Sequence, residues 1–151
     1  MIKIKRIDHV AIAVGDRDAA GARLQSLFDL VEESREHVAD QRADVLFLGC
    51  APGAGAAAAT SIELVAPAAA TPGQASNAGL QRFLDKRGPG LHHVCFEVED
   101  LDEALASLKA AGVPLIDEVP RLGARGHRVA FLHPAATGGV LFELCAAGHS
   151  S

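Results

Sequence analysis

The stretch IDHVAIAVGDRDAA at residues 7–20 recurs as LHHVCFEVEDLDEA at residues 91–104, and this pairing decides how the whole chain is read. Each copy alternates side chains as a strand with two unlike faces does, then reaches an Asp and an apolar period of helical spacing. The offset is 84 residues and persists downstream, where VLFL at 45–48 falls over VAFL at 129–132. After that the first copy carries four extra residues, so SIELVAP at 61–67 meets LFELCAA at 141–147 at an offset of 80. The extra length lies in GCAPGAGAAAATS at 49–61, a Gly/Ala stretch with neither a helical nor a strand period. It is not a phosphate loop, because no Gly-Lys-Ser/Thr closes it.

Each half therefore reads as a strand, a helix and three more strands. The expectation is a single α+β domain over 1–151, with pseudo-repeats at about 5–67 and 89–147. Its two tandem βαβββ modules would form a curved eight-stranded sheet, a cup with helices on the outer face. The second-half helix carries Leu101, Ala104, Leu105 and Leu108 on one stripe, and Asp100 with Glu103 resembles a capping box. The first-half helix places Ala20, Leu24, Leu27 and Phe28 on its stripe and has Gly21 inside it. Further strands are expected at about 31–38, 44–49, 60–66, 113–119, 127–132 and 139–145. Residues 67–90 read as a loop with one short helix around 77–86, not as a domain linker, because neither half has enough core to stand alone.

Composition narrows the function classes. Of 151 residues 49% are apolar, enough for a self-sufficient core. No run of 18 apolar residues occurs, and the first twenty residues alternate like a strand with no small-residue cleavage site, so a cytoplasmic protein with no membrane partner is expected. Cys50, Cys95 and Cys145 form no CxxC pair, which argues against a disulfide framework and a structural zinc site. Cys95 and Cys145 fall in apolar strands and read as small core residues. A net charge of −5 without a basic block, and six Phe as the whole aromatic complement, argue against nucleic acid and for a small molecule.

The strand period sorts the polar residues. Val10, Ile12 and Val14 share one face of the first strand, and His9, Ala11 and Ala13 the other. In the second copy Val94, Phe96 and Val98 oppose His93, Cys95 and Glu97. The large residues meet the helices, which leaves His9 and His93 on the hollow side. Glu63 between Ile62 and Leu64, and Glu143 between Phe142 and Leu144, likewise point away from the bulky face. A carboxylate in an apolar strand is costly unless it is paired or ligates a metal. Two His and two Glu at equivalent places thus suggest one shared divalent ion held by His9, Glu63, His93 and Glu143, with two positions left for substrate oxygens. Mixed nitrogen and oxygen ligation suits Co²⁺, Mn²⁺, Ni²⁺, Fe²⁺ or Zn²⁺, and the residues alone do not choose among them. His92 aligns with Asp8 on the other face and reads as structural.

A duplicated βαβββ unit with His on the first strand and a carboxylate on the last resembles the vicinal oxygen chelate superfamily, which includes glyoxalase I and the extradiol dioxygenases. Within it the chain is most similar to the methylmalonyl-CoA epimerases. IDHVAIAV at 7–14, RFLDKRGPGLHHV at 82–94 and PLIDEVPRLGARGHRVAFLHPAATGGVLFEL at 114–144 carry the likeness, and GARG, FLHP and TGGVLFEL are its most specific parts. The resemblance implies a homodimer that epimerises C2 of a methylmalonyl-CoA-like acyl-CoA thioester. The implied route is a two-base 1,1-proton transfer through a metal-chelated enediolate. It makes Glu143 both a metal ligand and one acid/base group. The second base of the family sits in a stretch reading Pro-Glu-Gln-Gly-Val; here VADQRADVLFL at 38–48 takes its place, with Asp40 at the Glu position and Arg42 at the Gly position. Asp is one methylene shorter, so its carboxylate would stand about 1.5 Å further from C2, and misplacement on that scale costs about a hundredfold in rate. Asp44 and Glu36 are rival bases. The family's Phe-Tyr pair in the first helix is replaced by Arg23 and Leu24, and the chain contains no Tyr.

Two other readings stay open. One is a different enzyme of the superfamily, such as a glyoxalase-type isomerase or lyase. The other is a non-catalytic protein that binds a small ligand in the same cup, since a fold does not fix a function. A dioxygenase is disfavoured, because its facial triad uses three protein ligands where four are available here. Arg121, Arg125 and Arg128 have two readings as well, contacts to a substrate carboxylate or CoA phosphates and a solvated edge.

Overall fold

The alternation at the start of the chain produces β1 (Ile4–Ala13), and the Asp after it starts a helix in both halves. Asp16 accepts hydrogen bonds from the amides of Asp18 (3.0 Å) and Ala19 (2.9 Å) and caps α1 (Arg17–Leu27). Asp100, 84 residues on, accepts from the amide of Glu103 at 2.9 Å and caps α3 (Leu101–Ala110). The remaining elements are β2 (Leu30–Val38), β3 (Ala43–Cys50), β4 (Ser61–Pro67), α2 (Ala78–Arg87), β5 (Gly90–Val98), β6 (Arg121–Leu122), β7 (Arg128–Phe131) and β8 (Phe142–Ala146). The architecture is an α+β fold with an eight-stranded sheet, seen in a computed structural model that describes residues 1–53 and 60–146. Part of the Gly/Ala stretch at 49–61 lies outside the described residues. Among the described residues no helix is long and apolar enough to cross a membrane.

The chain divides into two compact units, Val10–His92 and the combination of Met1–His9 with His93–Ser151. In the first unit β2 pairs antiparallel with β3, and β3 with β4. Val14, Leu46, Leu48, Leu64 and Ala66 form its core, and Ile12, Ala20 and Leu24 pack against them, so the bulky face of the strands meets α1 as the alternation requires. Gly21 is buried on α1, and a methyl group there would run into Leu46 Cδ2. The helix therefore lies close to β3. Leu27 and Phe28, expected on the same stripe, are instead 65% and 58% exposed, because the helix ends at Leu27 and Phe28 is already extended.

In the second unit β8 runs parallel to β5 and antiparallel to β7, which pairs with the short β6. Val98, Leu101, Ala104, Leu105, Ala130, Leu132, Leu144 and Ala146 form its core, with Phe96 and Leu108 against it. This is the predicted stripe of α3 on the predicted bulky face of the strands. Cys95, Cys145 and Val129 cluster separately, and all three cysteines are free thiols.

The strand expected at 113–119 does not form. Pro114 and Pro120 lack the amides a ladder needs. The amides of Ile116 and Asp117 converge on one carbonyl, that of Phe131, at 2.9 and 3.1 Å, while Asp117 Oδ2 accepts the Phe131 amide at 2.8 Å. Within 113–119 only an isolated Leu115–Leu132 bridge forms, and the short β6 begins beyond it at Arg121. The last strand likewise begins at Phe142, because Gly138 (φ 72°) and Gly139 (φ 97°) turn the chain just before it.

Candidate metal centre

His9 on β1, His93 on β5 and Glu143 on β8 meet within the second unit. Parallel pairing sets Cys95 opposite Glu143, and His93 precedes Cys95 by one full pleat period, so the imidazole and the carboxylate share a face. His9 Nε2 lies 3.3 Å from His93 Nε2 and 3.2 Å from Glu143 Oε2, and His93 Nε2 lies 3.1 Å from the same oxygen. All three side chains are buried, at 5%, 7% and 4% exposure. Burial alone would raise the Glu143 pKa, but the two imidazoles of His9 and His93 beside it hold it well below the usual carboxylate range. The carboxylate is thus an ionised acceptor at neutral pH.

The donor set fits a first-row divalent ion. Ligand atoms at about 2.0–2.2 Å from such an ion stand about 3 Å apart when they are adjacent on it, and imidazole with carboxylate is the borderline-hard mixture these ions take. Without a cation, three lone-pair-bearing atoms at this separation in a buried site repel unless protons are shared among them.

A charged scaffold backs His9. Asp8 is wholly buried and accepts His9 Nδ1–H at 2.7 Å, together with donors from Arg6 and Arg125. Burial pushes the Asp8 pKa up, but the hydrogen bond from His9 and the charges of Arg125 and Arg6 outweigh it and bring it to about 2. Arg6 Nε also donates to Glu97 Oε2 at 2.6 Å, and Lys5 Nζ to Glu97 Oε1 at 2.9 Å. Beside this scaffold, hydrogen bonding to the Cys95 thiol, offset in part by burial and helped by His127, lowers the Cys145 pKa to about 7.

The other residues singled out by sequence are placed as follows. Glu63 is 4% exposed on β4 of the first unit, opposite Phe47 in the ladder and with Ile62 and Leu64 on the reverse face. Asp40 is exposed on the 3-10 turn Ala39–Gln41, and its carboxylate makes no ion pair or hydrogen bond among the described residues. Arg42, which ends that turn at the position where the resembled family has Gly, is left-handed (φ 50°, ψ 46°), a conformation that glycine adopts without steric cost. Asp44 is paired with His37 at 2.9 Å, and Glu36 is half-buried on β2. His92 packs edge-on against Phe83, with ring centroids 4.9 Å apart, a packing role. Each arginine near the GARG turn engages a carboxylate of the chain: Arg121 with Asp117, Arg125 with Asp8, and Arg128 with both oxygens of Asp102. The solvated edge is therefore too simple a description of them. Asp8, Arg6 and Arg125 were not readable as a unit from sequence. The signal was present in Asp8 beside His9, but strand alternation sends neighbouring residues to opposite faces and hides such a contact.

Residues 8–131 match the Glyoxalase/Bleomycin resistance protein/Dioxygenase superfamily. The chain is 36% identical over 143 residues, 93% of this chain and 97% of the relative, to the ethylmalonyl-CoA/methylmalonyl-CoA epimerase of Cereibacter sphaeroides. The crystal structure of methylmalonyl-CoA epimerase from Mycobacterium tuberculosis superimposes with a TM-score of 0.82 at 34% identity, covering 96% of this chain and 89% of that one. A methylmalonyl-CoA epimerase in complex with methylmalonyl-CoA and NH4+ gives a TM-score of 0.84 at 28% identity, covering 97% of both chains.

Proposed function

The chain belongs to the glyoxalase/bleomycin resistance protein/dioxygenase superfamily, and from that premise we propose that it is a metal-dependent epimerase of methylmalonyl-CoA or a similarly 2-substituted malonyl thioester. The observation that carries the proposal is the meeting of His9 Nε2, His93 Nε2 and Glu143 Oε2 at 3.1–3.3 Å, in a chain that matches an ethylmalonyl-CoA/methylmalonyl-CoA epimerase over 97% of that relative's length. His9, His93 and Glu143 would hold the ion, and the repeat assigns Glu63 as the fourth ligand, with Co²⁺ ahead of Mn²⁺, Ni²⁺, Zn²⁺ and Fe²⁺. A divalent ion at this place supplies Lewis-acid stabilisation of the negative charge that spreads onto substrate oxygens when C2 loses its proton.

The protein's own groups then move the proton. Inversion needs one acid/base group on each face of the planar intermediate, because a single base returns the proton to the side it left. Glu143, ionised and buried, is assigned to one face. Asp40 is assigned to the other by its alignment with the family's second glutamate, and its solvent exposure lets it exchange the proton it carries.

Incubation of the metal-loaded protein with methylmalonyl-CoA in D₂O tests the reading. Deuterium enters C2 well above the rate without protein, followed by NMR or mass spectrometry. Asp40→Asn lowers inversion by about a hundredfold or more, the usual weight of a positioned acid/base group, while leaving bound metal unchanged. Absence of exchange with the metal bound would sink the epimerase reading and leave another reaction of the superfamily or ligand sequestration. Loss of metal from Asp40→Asn would show that Asp40 has been given the wrong role.

A further inference from the structure

The repeat breaks at the residue before each histidine, where the first copy has Asp8 and the second His92. His92 packs against Phe83, whereas Asp8 is wholly buried and touches His9 Nδ1 at 2.7 Å. An ionised carboxylate accepts hydrogen bonds and cannot donate, so the proton in that contact belongs to the imidazole nitrogen. Two guanidiniums fix the carboxylate in turn. Arg6 reaches it from two residues earlier on β1 while Arg6 Nε is held by Glu97 Oε2 at 2.6 Å. Arg125 reaches it from the GARG turn, where its own backbone is left-handed (φ 57°, ψ 25°). A buried carboxylate without such partners is strongly disfavoured, and the two arginines hold it in place as the ionised acceptor.

We propose that Asp8, clamped by Arg6 and Arg125, is a positioning residue that keeps the His9 proton on Nδ1 and so leaves the Nε2 lone pair directed at His93 and Glu143. The GARG turn then acts through Asp8 on His9. A carboxylate or carbonyl behind a metal-binding histidine orients the ring and raises its basicity, and loss of such a partner typically weakens metal binding by about 10–100-fold. The inference deepens the metal-centre reading and rests on it for its affinity arm alone; the tautomer arm needs no metal.

Imidazole ¹⁵N shifts of the metal-free protein report which nitrogen of each histidine carries the proton. In the wild-type protein His9 is the Nδ1–H tautomer. In Asp8→Asn the Nε2–H form of His9 rises while the signals of His37 and His92 stay put, which marks a retained fold. Arg125→Ala moves His9 in the same direction and covers the case in which Asp8→Asn fails to fold. Titration calorimetry with Co²⁺ then shows affinity falling about 10–100-fold in Asp8→Asn. A His9 tautomer unchanged in both variants, with Co²⁺ affinity within about twofold of wild type, overturns the proposal. Should the wild-type protein bind no Co²⁺, Mn²⁺, Ni²⁺, Zn²⁺ or Fe²⁺, the metal reading fails, and the tautomer arm alone still supports or overturns the role of Asp8.

Discussion

Arg42 and Arg125 share a backbone conformation that L residues avoid, at φ 50° and φ 57°, yet they should respond in opposite ways to glycine. The left-handed region costs a non-glycine residue roughly 1–2 kcal/mol. Glycine removes that strain and gives back roughly 0.5–1 kcal/mol as unfolded-state entropy. At Arg42 little else is lost, since its guanidinium makes a 3.3 Å bond to the Ala75 carbonyl at the surface. Arg42→Gly is expected to stabilise the protein by roughly 0.5 kcal/mol, read as a higher midpoint in urea with an unchanged slope. At Arg125 the guanidinium is a partner of a fully buried carboxylate, and a hydrogen bond to a charged group is worth about 1.5–3 kcal/mol. The loss exceeds the relief, so Arg125→Gly lowers the midpoint. Equal shifts of one sign in the two variants would refute this division.

At the scale of elements, the two helices show which parts of the duplication sequence can reveal. The Asp caps and the α3 stripe were legible because hydrogen bonding to a first-turn amide and apolar spacing are local properties. The limits of α1 were not, because its fit to the sheet depends on an absence of side chain. Gly21 looks like a weakness in a helix, where Ala would add about 1 kcal/mol of propensity. It lies against Leu46, which is wholly buried, and forcing extra volume into a packed core costs about 1–3 kcal/mol. Packing wins on these magnitudes, and Gly21→Ala is expected to lower stability by roughly 1 kcal/mol despite the better helix former. Thermal unfolding checks the sign. The missing strand at 113–119 has a similar origin: its apolar alternation was visible, but Pro114 and Pro120 deny it a regular ladder and Asp117 takes an amide the ladder would have used.

At the scale of the molecule, the repeat made the three converging ligand-type residues legible, because a duplication places equivalent residues at equivalent strand positions whatever their distance along the chain. Asp8 escaped for the converse reason, being the place where the copies differ. The same logic yields a prediction about how metal binding is distributed. His9, His93 and Glu143 lie on β1, β5 and β8, so an ion bridging them ties together strands whose contributing residues are 84 and 50 positions apart. At a free metal concentration of about 100 times Kd, binding adds about 2.7 kcal/mol to stability, provided the unfolded chain binds no metal. Hydrogen exchange should slow most in β5 and β8, with β2 changing least, since none of the four assigned ligands lies on that strand. Glu63 on β4 is the discriminating residue. If it is the fourth ligand that the repeat assigns, metal also slows exchange in β4, and Glu63→Gln abolishes that slowing together with part of the affinity. If Glu63→Gln leaves both unchanged, the ion is held by three protein ligands within one unit, and the symmetry of the sequence extends further than the symmetry of the site.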